Sequence, residues 1–155
     1  MDPRAVRLRP AGPEDMEFLR TLHRAAMREH VERTYGPWDD ADQRQRFDAS
    51  TDPATHDIIE LDGTPVGCRW VRRHPDALEL VRLYLMPDAQ GQGVGTHVVR
   101  SLLDDATRVA LPVRLRVMKT NPARRLYERL GFVVTAETET HFAMHAAARD
   151  DTKPE

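Results

Sequence analysis

The chain has 155 residues, 40% of them hydrophobic and 31% charged, and a formal net charge of −2. This length and balance predict one globular domain, at residues 1–147, with a polar tail at 148–155. The charge excludes a basic nucleic-acid-binding surface, and no apolar run approaches the roughly 20 residues of a membrane span. The only cysteine is Cys68. With no signal-peptide core at the N-terminus, these features predict a cytoplasmic protein.

The first half of the chain alternates short strands with two helices. "AVRLRP" alternates polar and apolar residues, which predicts a strand, and "PEDM" suits the first turn of a helix that "YGPW" ends. Asp39 or Asp40 then caps a short helix that runs to about Phe47. "DIIEL" and "PVGCRWVRR" flank "DGT", which predicts a hairpin. "LELVRLYLM" is apolar on both faces and predicts a central strand.

The second half begins after Pro87 with the glycine-rich stretch "QGQGVGT". An apolar stripe from Val94 to Leu103 predicts a helix, and "LPVRLRVM" predicts a strand. "NPARRLYERLG" carries helix signals at both ends, since Asn121 can cap it and Gly131 suits a left-handed terminus. "FVVTAETETHFAMHA" supplies two last strands. The whole order predicts an α/β (α+β) fold with a central mixed sheet of about six to seven strands and about four helices.

A strand, a glycine-rich turn and a helix together form a phosphate-binding arrangement. The first amides of a helix have no internal acceptor, and the helix dipole adds positive potential there. Glycine lets the backbone approach an anion and adopt positive φ. The turn lacks the lysine of a P-loop and the spacing of the G-x-G-x-x-G dinucleotide pattern. The residues by themselves therefore leave a plain tight turn as an alternative.

Two motifs together resemble one family. Gln90-x-x-Gly93-x-Gly95 resembles the pyrophosphate loop of the GNAT family of N-acetyltransferases, and "NPARRLYERLGF" resembles that family's second signature. The motifs lie in the family's order, with one strand between them. The resemblance is strong from about residue 78 to 133, whereas the N-terminal half matches only in its order of elements. It implies a GNAT-like domain, acetyl-CoA as donor, an amine as acceptor and a possible homodimer.

The resemblance assigns cofactor contacts by motif. It implies that the backbone of Leu83 and Leu85 pairs with the pantetheine amides. Asn121 and Arg125 would lie beside the pantetheine and its phosphates, with Arg124 as the competing phosphate contact. The amides implied to hold the pyrophosphate belong to Gln90, Gly91, Gln92, Gly93, Gly95 and Thr96.

The resemblance also implies three catalytic roles. Glu79, eleven residues before Gln90 (90 − 79), stands where some members of the family place the base that deprotonates the amine. The alternatives for it are a solvated strand glutamate or an ion pair with Arg82. The Leu85 N–H would stabilise the charge that develops on the thioester oxygen. Tyr127 occupies the family's tyrosine position and would protonate the CoA sulfur, or else only pack in the helix face.

The acceptor pocket is the least defined part of the prediction. Tyr35 and Trp38 can form an aromatic wall, Asp39 can attract a cationic amine, and His141 is an alternative base. The competing interpretations are that Trp38 packs and that Asp39 caps a helix. The histidines give no metal site, because no pair has a third ligand close by.

The leading functional prediction is acetyl-CoA-dependent acetylation of a primary amine of a small molecule or a protein. An acyl-CoA-binding module without turnover and an acyltransferase for a longer acyl chain are the alternatives. A nucleotide-binding protein is a weaker one, because the P-loop lysine is missing.

Overall fold

A computed structural model describes residues 5–148 of the chain, in which seven strands and four α-helices form. Of the tail predicted at 148–155, residues 149–155 lie outside the described residues. The strands are β1 (Val6–Pro10), β2 (Asp57–Leu61), β3 (Thr64–Arg73), β4 (Leu78–Leu85), β5 (Val113–Met118), β6 (Val133–Glu137) and β7 (His141–Ala146). The helices are α1 (Met16–Tyr35), α2 (Asp40–Ser50), α3 (Val94–Arg108) and α4 (Ala123–Arg129).

The strands hydrogen-bond in the order β1-β2-β3-β4-β5-β7-β6. Strands β4 and β5 run parallel, with pairing from Leu78 and Val113 to Leu80 and Leu115. The pairs β1–β2, β2–β3, β5–β7 and β6–β7 are antiparallel. The predicted mixed sheet of six to seven strands with about four helices is confirmed. Strand β4 is central in it, as its apolar residues on both faces predicted.

The described chain divides into two compact units, residues 5–70 with 82–94 and residues 71–81 with 95–148. Strands β3 and β4 contribute residues to both. The core of the first unit is apolar and brings together the start of α1, the end of α2 and strands β2 and β3. Its buried members include Leu19, Leu22, Phe47, Ile58 and Cys68. Cys68 is fully buried there, since 1% of its surface is exposed.

The β2–β3 hairpin has the two-residue turn that "DGT" predicts. Asp62 and Gly63 both have positive φ, 52° and 82°, which matches the twist of the flanking strands in such turns. Farther along β3, a Cβ at position 67 would lie 2.3 Å from the Tyr84 carbonyl oxygen and 2.7 Å from Leu85 Cδ2. Gly67 therefore allows β4 to approach β3 closely at Leu85, a predicted cofactor-binding residue.

The second unit places the predicted apolar stripes in its interior. The side chains facing inward on α3 include Val98, Val99, Leu102 and Leu103, and those on β5 are Val113, Leu115 and Val117. Helix α4 begins one residue later than Pro122, and Gly131 follows it with φ +99°, as its left-handed terminus predicted.

The close approach at Gly67 generates a stability prediction. Gly67→Ala should lower the free energy of unfolding by about 1–3 kcal/mol, because the added methyl group forces β3 and β4 apart. Urea denaturation followed by circular dichroism measures this change. Alanine otherwise suits a strand better than glycine, so an unchanged or higher midpoint would contradict the close approach.

Candidate active site

The glycine-rich stretch forms a turn that only glycine adopts without strain. One turn of 3-10 helix, Pro87–Ala89, follows β4, and α3 begins at Val94. Between them, Gly91 and Gly93 have φ of +77° and +82°. A Cβ at either position would meet no heavy atom within 4 Å. Glycine is therefore required here by backbone conformation and not by crowding.

Two glutamine side chains fix the turn to the preceding segment. Gln90 Nε2 donates to the Leu85 carbonyl oxygen at 3.2 Å, and Gln92 Nε2 donates to the Asp88 carbonyl oxygen. The backbone N–H of Gln90 donates to the Pro87 carbonyl oxygen at 3.2 Å. Of the amides predicted to bind pyrophosphate, that of Gln90 is thus already engaged. The predicted set of binding amides is therefore reduced to those from Gly91 onward.

The first amides of α3 follow the turn directly in the chain. Because the helix starts at Val94, the N–H groups of Gly95 and Thr96 in its first turn lack intrahelical acceptors. The positive end of the helix dipole lies at the same place. A chain with this backbone can donate several hydrogen bonds to one bound anion, so the residues present fit a diphosphate group.

Asn121 and two arginines mark the start of α4. Asn121 Oδ1 accepts a hydrogen bond from the Ala123 N–H at 2.9 Å. The N-cap position of α4 is Pro122 and not Asn121 as predicted, because the helix begins one residue later. Arg124 is held by Glu128, at 3.2 Å, and its guanidinium lies 4.5 Å from the Phe142 ring centroid. Arg125 is exposed. Of the two, Arg125 is the side chain better placed to reach a phosphate in solvent.

Tyr127 lies in the core of the second unit, and 6% of its surface is exposed. Its ring packs edge-to-face on Phe132, with 5.6 Å between centroids. Burial raises the pKa of Tyr127 to about 12, because the phenolate would lose its hydration. The hydroxyl therefore remains protonated at neutral pH, which is the state that a general acid needs.

Glu79 belongs to a charged cluster at the β3–β4 connection. Its Oε1 lies 2.7 Å from His74 Nε2 and 3.7 Å from Arg72 Nη1, and 26% of its side chain is exposed. Arg82, which the sequence analysis gave as a possible ion-pair partner of Glu79, instead donates from Nη1 to Thr51 Oγ1 at 3.1 Å. Glu79 is thus neither isolated nor paired with Arg82, and His74 is a partner that the sequence analysis missed.

The residues predicted for the acceptor pocket have different environments. Tyr35 is 65% exposed at the end of α1. Asp39 Oδ1 accepts from the Asp42 N–H at 3.0 Å and caps α2, which is the competing interpretation of that residue. Trp38 donates from its indole N–H to Asp40 Oδ1 at 3.0 Å.

A pocket in the first unit includes Trp38 but neither Tyr35 nor Asp39. Its lining also contains Asp40, His23 and Phe47. The His23 ring stacks on Phe47 with 4.5 Å between centroids and lies 5.5 Å from Trp38. Sequence reasoning missed His23, although its place four residues after Leu19 on α1 is a signal that this histidine faces the interior.

His141 begins β7 and is half-buried. Its Nδ1 lies 2.7 Å from Thr140 Oγ1. Burial, together with the positive charge of Arg116, lowers the pKa of His141, so the ring is neutral at neutral pH and can accept a proton. Its predicted role as an alternative base is compatible with this state.

Two further surveys cover only residues 5–148. No cluster of three histidine, cysteine, aspartate or glutamate side chains in this range could hold a metal ion. No helix in the same range is long and apolar enough to cross a membrane.

Comparison with known proteins places these features in one family. The acetyltransferase (GNAT) family matches residues 21–132. A mycothiol acetyltransferase from Thermomonospora curvata is 36% identical over 131 residues, which are 82% of this chain and 43% of that protein. One from Streptomyces coelicolor is 31% identical over 139 residues, 87% of this chain and 44% of that protein. The chain spans less than half the length of these curated relatives.

Solved structures share the fold. The PaiA N-acetyltransferase from Thermoplasma acidophilum, in complex with coenzyme A, superposes with a TM-score of 0.72 at 19% identity. The superposition covers 92% of this chain and 99% of that one. The family match spans most of the chain, including the glycine turn and α4. The chain belongs to the acetyltransferase (GNAT) family.

Proposed function

We propose that this protein transfers an acetyl group from acetyl-CoA to a primary amine of a small molecule or a protein. The observation that carries the proposal is the turn at Gly91 and Gly93, whose backbone takes positive φ and leads directly into the first turn of α3. Family membership supports the same reaction class. When bound, acetyl-CoA supplies the thioester whose carbonyl carbon the amine attacks, so that a C–N bond forms and the C–S bond breaks.

The amides from Gly91 to Thr96 hold the diphosphate of the cofactor in this proposal, and Arg125 adds a charged contact. The backbone of Leu83 and Leu85 pairs with the pantetheine arm. The Leu85 N–H also donates to the thioester oxygen as that atom gains negative charge, which a fixed backbone donor stabilises without reorganisation. Asn121 is assigned to the pantetheine, although its Oδ1 already accepts a hydrogen bond from the Ala123 N–H.

Two side chains move protons in the proposed reaction. Glu79 accepts a proton from the amine, which must be neutral to attack. Tyr127 donates its proton to the departing sulfur, and its burial supports this role because the phenol is protonated at neutral pH. The net reaction converts an amine and acetyl-CoA into an acetamide and free CoA. Trp38 lines the acceptor pocket in this proposal.

The turn can be tested with two matched glycine substitutions. Gly93→Ala should weaken coenzyme A binding about tenfold, because alanine at positive φ costs about 1–2 kcal/mol and the free turn relaxes away from the binding conformation. Isothermal titration calorimetry measures the Kd. Gly63→Ala is the control, because Gly63 has the same φ of +82° in a hairpin with equally open surroundings. An equal Kd for wild type and Gly93→Ala would remove the turn from the cofactor site.

The role of Tyr127 is tested with Tyr127→Phe, which keeps the ring that packs on Phe132. We expect kcat to fall about 10²-fold or more, because the sulfur loses its proton donor. The Kd for acetyl-CoA should stay within a factor of two or so of wild type. Free CoA is measured with a thiol reagent across an amine panel. Unchanged turnover in the variant would make Tyr127 a packing residue.

The identity of the base is tested by comparing Glu79→Gln with His141→Asn. If Glu79 accepts the proton, Glu79→Gln lowers kcat about 10²-fold and removes the acidic limb of the pH–rate profile. In that case His141→Asn keeps the wild-type kcat and the acidic limb of the profile. The reverse pattern would transfer the role to His141, and two unchanged profiles would exclude both side chains as the base.

A further inference from the structure

Arg82 lies at the centre of a cluster of aromatic and polar side chains in the first unit. Its guanidinium carbon is 5.0 Å from the Phe47 ring centroid, 5.3 Å from that of Tyr84 and 5.7 Å from that of Trp70. These separations are within the range of cation–π attraction. We call this set, together with Thr51 and His56, the Arg82 cluster.

The side chains around Arg82 carry no charge. His56 is 2% exposed, and burial lowers its pKa. Its Nδ1 lies 3.0 Å from the Asp52 carbonyl oxygen and its Nε2 lies 3.1 Å from Arg82 Nη1. A neutral ring with its proton on Nδ1 satisfies both contacts, since Nε2 then accepts from Arg82. His23, whose ring stacks on Phe47, is also neutral, since burial and the Arg82 charge lower its pKa to about 4.

No carboxylate among the described residues neutralises Arg82. The nearby aspartates of the same unit have other partners. Asp48 pairs with Arg20 at 2.8 Å, and Asp57 pairs with Arg69 at 3.0 Å. Asp52 Oδ1 accepts from the Ala54 N–H at 2.9 Å. A half-buried cation without a counter-charge costs free energy, which aromatic faces offset only in part.

The Arg82 guanidinium still has donors to offer. It carries five N–H groups in a planar fork, of which the contacts with Thr51 and His56 both use Nη1. The Tyr84 hydroxyl is a further hydrogen-bond partner of Arg82. Arg82, Trp70 and Tyr84 are half-buried, whereas Phe47, Thr51 and His56 are buried. Arg82 is therefore partly exposed to solvent. Two parallel N–H groups on a rigid fork fit a carboxylate better than they fit a neutral group.

We propose that the Arg82 cluster binds a carboxylate of the amine acceptor, so that the substrates are amino acids or amines with an acid group. This inference rests on the proposed function. Arg82 precedes Leu85, the proposed oxyanion donor, by three strand residues, or about 10 Å along β4. A spacer of several bonds between acid and amine therefore fits the cluster better than the single carbon of glycine does.

The kinetic test compares each amino acid with its own amide. Glycine, β-alanine and 6-aminohexanoate, each with its amide, are offered with acetyl-CoA, and free CoA is measured. We expect kcat/KM for 6-aminohexanoate to be at least tenfold higher than kcat/KM for its amide. Arg82→Gln should bring that ratio close to one, and Arg82→Lys should give an intermediate ratio because a point charge lacks the fork.

Arg46→Gln is the matched control. Arg46 is an exposed arginine of α2 that pairs with Asp42 at 2.9 Å, and its loss changes the net charge by the same amount. The control should keep the wild-type ratio. Equal kcat/KM for acid and amide in the wild type, or a preference that survives in Arg82→Gln, would overturn the proposal.

A binding measurement separates this inference from the proposed function. The intrinsic fluorescence of the protein, to which Trp70 of the cluster contributes, is titrated with 6-aminohexanoate and with the amide. We expect a saturable change with the acid alone, which disappears in the Arg82→Gln variant. No such change overturns the carboxylate site even if amines are acetylated. Absence of acetyl-CoA binding and turnover, with a normal fluorescence response, refutes the proposed function and leaves the carboxylate site standing.

Discussion

The proposed cofactor site depends on the conformation of one short turn. At Gly91 and Gly93 the backbone takes positive φ, so that the chain leaves the 3-10 turn after β4 and enters α3 with its amides exposed. A side chain at these positions would find space but not an allowed conformation. The side-chain amides of Gln90 and Gln92 donate hydrogen bonds to carbonyl oxygens of the preceding segment. The turn is thus organised before any ligand arrives, and binding need not order it.

Features that depend on neighbours in sequence could be predicted from the sequence. The glycine turn, the hairpin at Asp62 and Gly63, and the end of α4 at Gly131 each require a backbone conformation that few residues adopt. The apolar stripe of α3 follows from helical periodicity alone. Asp39 shows the limit of such reasoning, because an aspartate before a helix is read equally well as a cap or as a ligand. Its bond to the Asp42 N–H selects the cap.

The contacts that could not be predicted from the sequence join residues far apart in the chain. The partner of Glu79 is His74, across the β3–β4 connection, although Arg82 is nearer to Glu79 in sequence. Arg82 itself meets Thr51 and His56, which precede it by 31 and 26 residues. Nothing in the local pattern "LELVRLYLM" distinguishes an arginine that faces solvent from one enclosed by aromatic rings. Only the packing of α2, β3 and β4 in the first unit decides between them.

Burial has opposite consequences for Tyr127 and Arg82. Tyr127 responds to desolvation by keeping its proton, which leaves a neutral phenol in the core. Arginine cannot become neutral in this way, because its guanidinium does not lose a proton in a protein. The cost of enclosing Arg82 can be offset only by dipoles, aromatic faces or an anion. The first two are supplied by the chain through Thr51, His56 and three rings. Among residues 5–148 the aspartates around the cluster have other partners, and in the further inference the anion is the carboxylate of the substrate.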